Sequence, residues 1–405
     1  MRKVHSLATE PTEVLLIAGG ELFPNGTGAT ARMRAYARGL HLLGVQVRVL
    51  LLVVLRPESW PHTDSRVSGE WSGVPFEYMS GLARGQRGYV RRRLREARAI
   101  WRTAAEILRP RPAGQNRVVI LIATRLRWIL PVAAACRLAR VQVVHDRTEF
   151  PFVYSPDAGV MGRFWRRCYV AAVFRLFDGL VVISTHLEDF LRTRVRRSAW
   201  VLRIPILVDA DAFDCSDEGT RRRVGYAGSL CHSEELEQLI HAVSIVRRNH
   251  PGTLLRVIGG RTEDETTLVR TLASQYGIDD AVELTGFARA DEIPALLCGC
   301  AALALPRAGG LFSTAGMPTK LGEYLATGRP VVVTATGDIP KYLHDGVEAF
   351  VVEPGDVHSF SEALERALYN PVAAEVGRAG QRLARREFDT VVHMRRLLET
   401  IEATR

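Results

Sequence analysis

The stretch Ala304–Val333 reads ALPRAGGLFSTAGMPTKLGEYLATGRPVVV. Its apolar start predicts a short strand ending at Leu305. A loop carrying Gly309 and Gly310 follows, Pro318 and Thr319 open a helix, Gly328 closes it, and PVVV begins the next strand. Proline suits a first helical position because its missing N–H has no partner there anyway, and glycine suits the position past the end because it takes the left-handed turn without steric cost. A strand–loop–helix–strand unit of this kind aims the free N–H groups of the helix at the loop, which suits a phosphate. Arg307 and Lys320 bracket the loop with permanent positive charge. Glu323 lies one turn into the helix, where it can take hydrogen bonds from sugar hydroxyls; the plainer alternative is a surface carboxylate, but Leu321, Tyr324 and Leu325 already supply a core face beside it.

The same alternation extends in both directions. Apolar runs at Val14–Ala18, Val45–Leu52, Arg117–Ile122, Val141–His145 and Leu180–Ile183 alternate with helical patterns such as Thr30–Leu43. Further runs at Val224–Ala227, Leu254–Ile258, Val282–Leu284, Ala301–Leu305, Pro330–Thr334 and Ala349–Val352 alternate with helical segments near Ser233–Asn249, Glu263–Tyr276, Asp291–Leu297 and Thr319–Thr327. Runs of about five apolar residues without alternation fit strands covered on both faces. Strand–helix repetition implies parallel sheets joined by right-handed crossovers. The 405 residues therefore predict two consecutive doubly wound α/β domains, with Ile204–Thr220, IPILVDADAFDCSDEGT, as the linker.

Charge divides the chain in the same place. Residues 1–207 hold 33 Lys and Arg against 15 Asp and Glu, a net +18, and the remainder carries −8. A basic half suits a polyanion, an anionic membrane or a phosphorylated substrate, or is simply a solvated surface. No helix-turn-helix, finger or aromatic RNA-binding motif accompanies it, so nucleic acid is not the expected partner. No apolar run reaches the ~18–20 residues of a membrane span, and the N-terminus lacks the pattern of a signal peptide. The six cysteines are scattered, with Cys298-Gly299-Cys300 the one close pair and no zinc or Asp-rich metal pattern. A reduced, cytoplasmic protein without a metal is the expectation.

The first loop, AGGELFPNGTGATARM, contains Gly26-x-Gly28-x-x-Ala31, a formal match to the dinucleotide fingerprint. Glu21–Asn25 separate it from the strand, and the acidic ribose partner about 20 residues on is missing, so NAD is not the expected ligand. Gly28 still lets backbone approach a ligand, and the next helix offers N–H groups to an anion.

GMPTKLGEYLATGRPVVVT resembles the donor-site segment of retaining glycosyltransferases of the GT-B fold, family 4 (glycosyltransferase group 1). GTGATARM, VVHDRTEFPF, LVVISTHLEDFLR, IPILVDADAF, VGYAGSL, LLRVIGG and VELTGFA match other segments in the right order, from about Val14 to about Ala367. The resemblance implies two Rossmann-like domains facing an interdomain cleft: residues 1–207 for the acceptor, 208–386 for the nucleotide-sugar donor, and 387–405 as a helix returning to the N-terminal domain. It implies that Glu323 binds the ribose, that Gly28 belongs to a mobile loop over the diphosphate, that Gly228 and Ser229 meet that diphosphate, and that His145 contacts the donor sugar or its acceptor. His145, Glu149 and Lys320 form the expected catalytic set, with Glu149 on the acceptor. A core histidine with its hydrogen bonds satisfied is the alternative for His145. The sequence departs from the family pattern at Ala315, where a first motif Glu is expected, and at Ser229 and about Glu234, where Arg and Lys are expected. Arg307 and Lys320 are the expected substitutes, since guanidinium binds phosphate oxygens by paired bonds.

The resemblance further implies transfer with retention from a UDP- or GDP-sugar and no other cofactor, the leaving phosphate itself taking the acceptor's proton. For the acceptor, Arg87–Arg109 places Val90, Leu94, Ala97, Trp101, Ala104 and Leu108 on one helical stripe among eight Arg, and Met161–Phe177 repeats the mixture. Such segments suit an anionic bilayer at the inner face of the plasma membrane, and with it a lipid-linked acceptor; a helix packed on its sheet with a basic outer face is the alternative. A soluble acceptor and a sugar-nucleotide epimerase stay open.

Overall fold

The computed structural model describes residues 12–26, 28–54, 66–83, 88–151, 160–213, 215, 222–230, 233–260 and 262–404. They form two units, Met1–Pro205 with Thr390–Arg405, and Ile206–Asp389.

Unit 1 runs β1 (Thr12–Gly20), α1 (Gly28–Leu42), β2 (Gln46–Val54), β3 (Ser68–Trp71), β4 (Val74–Tyr78), α2 (Tyr89–Leu108), β5 (Asn116–Ile122), α3 (Leu126–Ala139), β6 (Gln142–Arg147), α4 (Val160–Ala172), β7 (Gly179–Val182), α5 (Thr185–Arg192) and β8 (Trp200–Arg203). The sheet order is β3-β4-β2-β1-β5-β6-β7-β8, parallel except for the β3–β4 pair. Val14–Ala18 are at most 1% exposed, as expected of a central strand covered by helices on both faces.

Unit 2 runs β9 (Arg223–Ala227), α6 (Ser233–Asn249), β10 (Leu254–Ile258), α7 (Glu263–Gln275), β11 (Val282–Gly286), α8 (Ile293–Cys298), β12 (Ala302–Leu305), α9 (Leu311–Ala315), α10 (Thr319–Ala326), β13 (Val331–Thr334), β14 (Phe350–Val352), α11 (Val357–Tyr369) and α12 (Ala373–Glu387). Its order is β11-β10-β9-β12-β13-β14, all parallel, so the order of strand addition reverses between β9 and β12. The last helix, α13 (Thr390–Ala403), belongs to unit 1 and lies on α1. A Cβ on Gly39 of α1 would stand 2.6 Å from Thr390 and 2.7 Å from Met394, so the two helices approach as closely as they do because residue 39 has no side chain.

The doubly wound α/β expectation holds, and four details change. Pro318 sits just before α10 as its cap, so the helix starts at Thr319. The start of the expected linker is buried: Ile204 and Ile206 are fully buried, Val208 is 3% exposed, and Val208 N–H donates to the Phe388 carbonyl. Its apolar letters, IPILV, hold it in the fold where acidity further on suggested a solvated tether. The cysteines are not all reduced: Cys215 and Cys298, 83 residues apart, form a disulfide with a Cα–Cα distance of 5.2 Å. Spacing along the chain cannot show a pairing that the fold creates by bringing Cys215 to the end of α8. Finally, the apolar stripe of α2 faces outward. Trp101 is 71% exposed, and Val90 and Leu94 are 67% exposed, while Glu96, Ala99, Thr103 and Ile107 face inward. The Glu96 carboxylate pairs with Arg127 and Arg93 and accepts from Trp128 Nε1, and this partly buried anchor on α3 turns the helix. Arg87 and residues 152–159 lie outside the described residues. Among the described residues, no helix is long and apolar enough to cross a membrane.

Candidate functional site

In an open parallel sheet, ligands bind beyond the carboxyl ends of the strands where the order reverses. In unit 2 that point lies between β9 and β12. After β9 the chain turns through Gly228 (φ +157°), and after β10 through Gly259 (φ +144°). A Cβ on Gly259 would stand 2.2 Å from the Gly228 carbonyl oxygen, and one on Gly228 would stand 2.5 Å from Lys320 Nζ. The floor of the site is therefore bare backbone packed closely, with no space for a side chain at either glycine.

Lys320, in the first turn of α10, is half-buried. Its Nζ donates to the Tyr226 hydroxyl (3.2 Å) and lies 4.3 Å from the centre of the Tyr226 ring. Among the described residues no carboxylate pairs with it. An aromatic face attracts a cation electrostatically without supplying a counter-ion. One turn on, the buried Tyr324 hydroxyl accepts from Ala227 N–H (2.6 Å) and donates to the Ala227 carbonyl (3.3 Å), which registers α10 against the end of β9. Burial holds that phenol well above its usual pKa, so it stays protonated. Glu323 is half-buried on the same helix, and Gly322 lets α10 rest on Val208 and Ile206.

Arg307 follows β12 and is 8% exposed. Its backbone N–H donates to Thr334 Oγ1 (2.9 Å), and its guanidinium donates to Ser313 Oγ (3.4 Å), inside the loop it was expected to bracket. Gly309 and Gly310 are exposed at the tip of that loop, and Pro318 is buried at the foot of α10. Ala315 is 1% exposed. Ser229 is exposed just after Gly228. Unit 2 thus gathers Gly228, Lys320, Thr319 and Pro318 around the switch point, with Arg307 beneath the neighbouring loop.

In unit 1, Gly28 is the exposed first residue of α1. The loop before it is pinned: Thr30 Oγ1 donates to the Leu22 carbonyl (2.8 Å), and a Cβ on Gly26 would meet that same Oγ1 at 2.1 Å. Gly26 is thereby explained by packing. His145, on β6, is fully buried. Its Nε2 bonds to the Ala123 carbonyl (2.9 Å), and Phe177 and Phe174 lie beside the ring. Burial and the neighbouring Arg147 push its pKa down to about 4, so the ring is neutral, with its proton on Nε2. Its Nδ1 is buried and has no partner among the described residues, leaving one acceptor unused. Glu149 is half-buried just beyond β6, where its carbonyl accepts from Arg147 Nε (2.8 Å).

Three polar groups here escaped the sequence reading. Arg147 is 6% exposed and pairs with no carboxylate among the described residues. Burial holds its pKa below the ordinary value. Arg32 and Asp146 form a buried two-pronged ion pair (2.9 Å), with the Tyr36 hydroxyl on the same carboxylate and the Ile204 and Pro205 carbonyls on the guanidinium. Arg32 and Asp146 stand 114 residues apart, so no local spacing marks them. Arg147 lies inside the quoted VVHDRTEFPF, and its place at a strand's carboxyl end was the available signal.

Among the described residues, no cluster of three or more His, Cys, Asp or Glu is placed to hold a metal ion. Residues 221–370 match the family described as Glycosyl transferases group 1. A GDP-mannose-dependent alpha-(1-6)-phosphatidylinositol monomannoside mannosyltransferase of Mycolicibacterium smegmatis is 31% identical over 243 residues, covering 56% of this chain and 63% of that protein. The chain thus spans less than two thirds of that relative's length. Among solved structures, sucrose-phosphate synthase from Thermosynechococcus elongatus superposes with a TM-score of 0.71 at 17% identity, over 97% of this chain and 100% of that one. Anabaena HepE, in complex with UDP and glucose, superposes with a TM-score of 0.70 at 17% identity, over 96% and 99%. These likenesses show the GT-B fold.

Proposed function

We propose, from the premise that the chain belongs through residues 221–370 to glycosyl transferases group 1, that it moves a hexose-type sugar from a UDP- or GDP-sugar to an acceptor hydroxyl with retention of configuration. What supports the donor half is Lys320: an ammonium without a counter-ion among the described residues, held over Tyr226 beside a side-chain-free turn at the switch point of a parallel sheet. As the glycosidic bond breaks, the diphosphate gains charge, and Lys320 with the first N–H groups of α10 stabilises it in place. Arg307 shapes the adjoining loop through Ser313, and Glu323 takes the ribose hydroxyls. The leaving phosphate accepts the acceptor's proton, so no separate base is assigned and no metal ion is required. His145, neutral at physiological pH, offers Nδ1 to a sugar hydroxyl, while Glu149 and Arg147 face the acceptor.

The acceptor we assign is lipid-linked and presented at an anionic membrane surface, in assembly of a cell-surface polysaccharide or glycolipid. Its support is the outward stripe of α2: Val90, Leu94 and Trp101 exposed, with Arg91, Arg92 and Arg98 exposed around them. Apolar side chains rimmed by cations are what an anionic bilayer surface takes up. A panel of labelled UDP- and GDP-sugars, offered with lipid extracts as acceptor, tests the whole assignment. Transfer of label to lipid is expected; epimerised donor, or label on a soluble acceptor alone, overturns it.

A further inference from the structure

Unit 1 contains a cavity of about 390 Å³ at the amino ends of β6, β7 and β8, the edge opposite His145. Arg137, Arg140, Gln142, Asp178, Arg196 and Ser198 are among the residues lining it. Gln142 opens β6, three residues before His145, so the cavity lies about 10 Å along the strand from that ring. It is separate from every group assigned above.

Its charge is unbalanced. Asp178 is committed to Arg196 and to Val143 N–H (2.7 Å). Arg137 and Arg140, both exposed, have no carboxylate partner among the described residues. The carboxyl end of α3 points the same way, but the roughly half negative charge of a helix end is outweighed by two guanidinium groups. Two wall atoms are also orphaned: Arg196 Nε, a donor, and Gln142 Oε1, an acceptor, are buried with no partner among the described residues. Buried polar atoms are normally satisfied, and a donor–acceptor pair left open in one cavity marks the outline of a ligand. Cys136 in the same wall is not a nucleophile, since burial pushes its thiol up to about 12.

We propose that this cavity binds a phosphate monoester dianion, with Arg137, Arg140 and Arg196 Nε on the phosphate and Gln142 Oε1 accepting from a ligand hydroxyl. Two free cations match a dianion, and guanidinium groups give it paired hydrogen bonds. The site stands independently of the donor assignment in unit 2. Isothermal titration of the full chain at low salt, with glucose 6-phosphate, inorganic phosphate and glucose as separate probes, tests it. Saturable binding of a phosphate probe is expected, at least tenfold weaker in R137A/R140A and undisturbed by excess UDP. Tighter binding of the hexose phosphate than of inorganic phosphate is expected, and equal binding of the two overturns the monoester assignment. Absence of saturable binding, equal binding by R137A/R140A, or displacement by UDP overturns the proposal. Both arginines are exposed, so the double variant keeps its fold, and an unchanged unfolding midpoint verifies this.

Discussion

The two sheets share a winding and differ in what stands at their carboxyl ends. Unit 1 holds at its strand ends an internally paired network, Arg32–Asp146–Tyr36. Unit 2 leaves its strand ends almost bare, with Gly228 and Gly259 turning close on one another and a single ammonium parked on a tyrosine ring. Charges that neutralise each other internally maintain a shape. An uncompensated charge beside open backbone is placed to act on something that arrives. The difference separates residues whose loss costs stability from residues whose loss costs turnover.

The largest expected effect is on stability. Arg32→Ala strands Asp146 in the interior, which costs about 3–5 kcal/mol. Urea unfolding reads it, and a loss under ~1 kcal/mol would mean that unit 1's strand ends are not self-contained. Next, Lys320→Ala should lower kcat/KM for sugar transfer by about 10²–10³, about 3–4 kcal/mol, with the unfolding midpoint unchanged. If stability falls instead, Lys320 belongs with the structural charges and the contrast fails.

The third test uses pH. His145 has a folded pKa of about 4 against an ordinary 6.5, so the fold favours the neutral ring. Its contribution is fully present above pH 6.5 and is lost as pH falls from 6.5 towards 4. At 1.36 kcal/mol per unit, the loss reaches about 3 kcal/mol. His145→Phe should flatten that part of the stability profile, and an unchanged acid slope would contradict the burial. The smallest effect is at the surface. Leu94→Ser with Trp101→Ser should change stability by no more than about 0.5 kcal/mol, as exposed positions do, while abolishing flotation with anionic liposomes. A large destabilisation would show that the stripe is core.

What sequence revealed depended on distance along the chain. The unit from β12 to β13 was readable because strand, glycine loop, Pro318 and Gly328 are adjacent signals of one local structure. Strands β3, β4 and β8 were missed, being four or five residues long with alternating exposure or a charged end. In α2 the period was legible and the side was not, since Glu96 meets Arg127 across 31 residues and that pairing decides which face turns in. Lys320 was found from its position before a helix turn, but its partner Tyr226, 94 residues away, was not. Ion pairs and bridges of this kind are products of topology, and the residues that make them carry no local mark.

The Cys215–Cys298 bridge bears on how any of these stabilities is measured. It encloses β9, α6, β10, α7, β11 and most of α8, and leaves β12, β13 and β14 outside. A loop of 83 residues removes roughly 4.5 kcal/mol of freedom from the denatured chain on the chain-entropy estimate. Oxidised and reduced samples would then share a native state while unfolding into different ensembles. A midpoint taken with reductant present and one taken without it are readings on two separate scales.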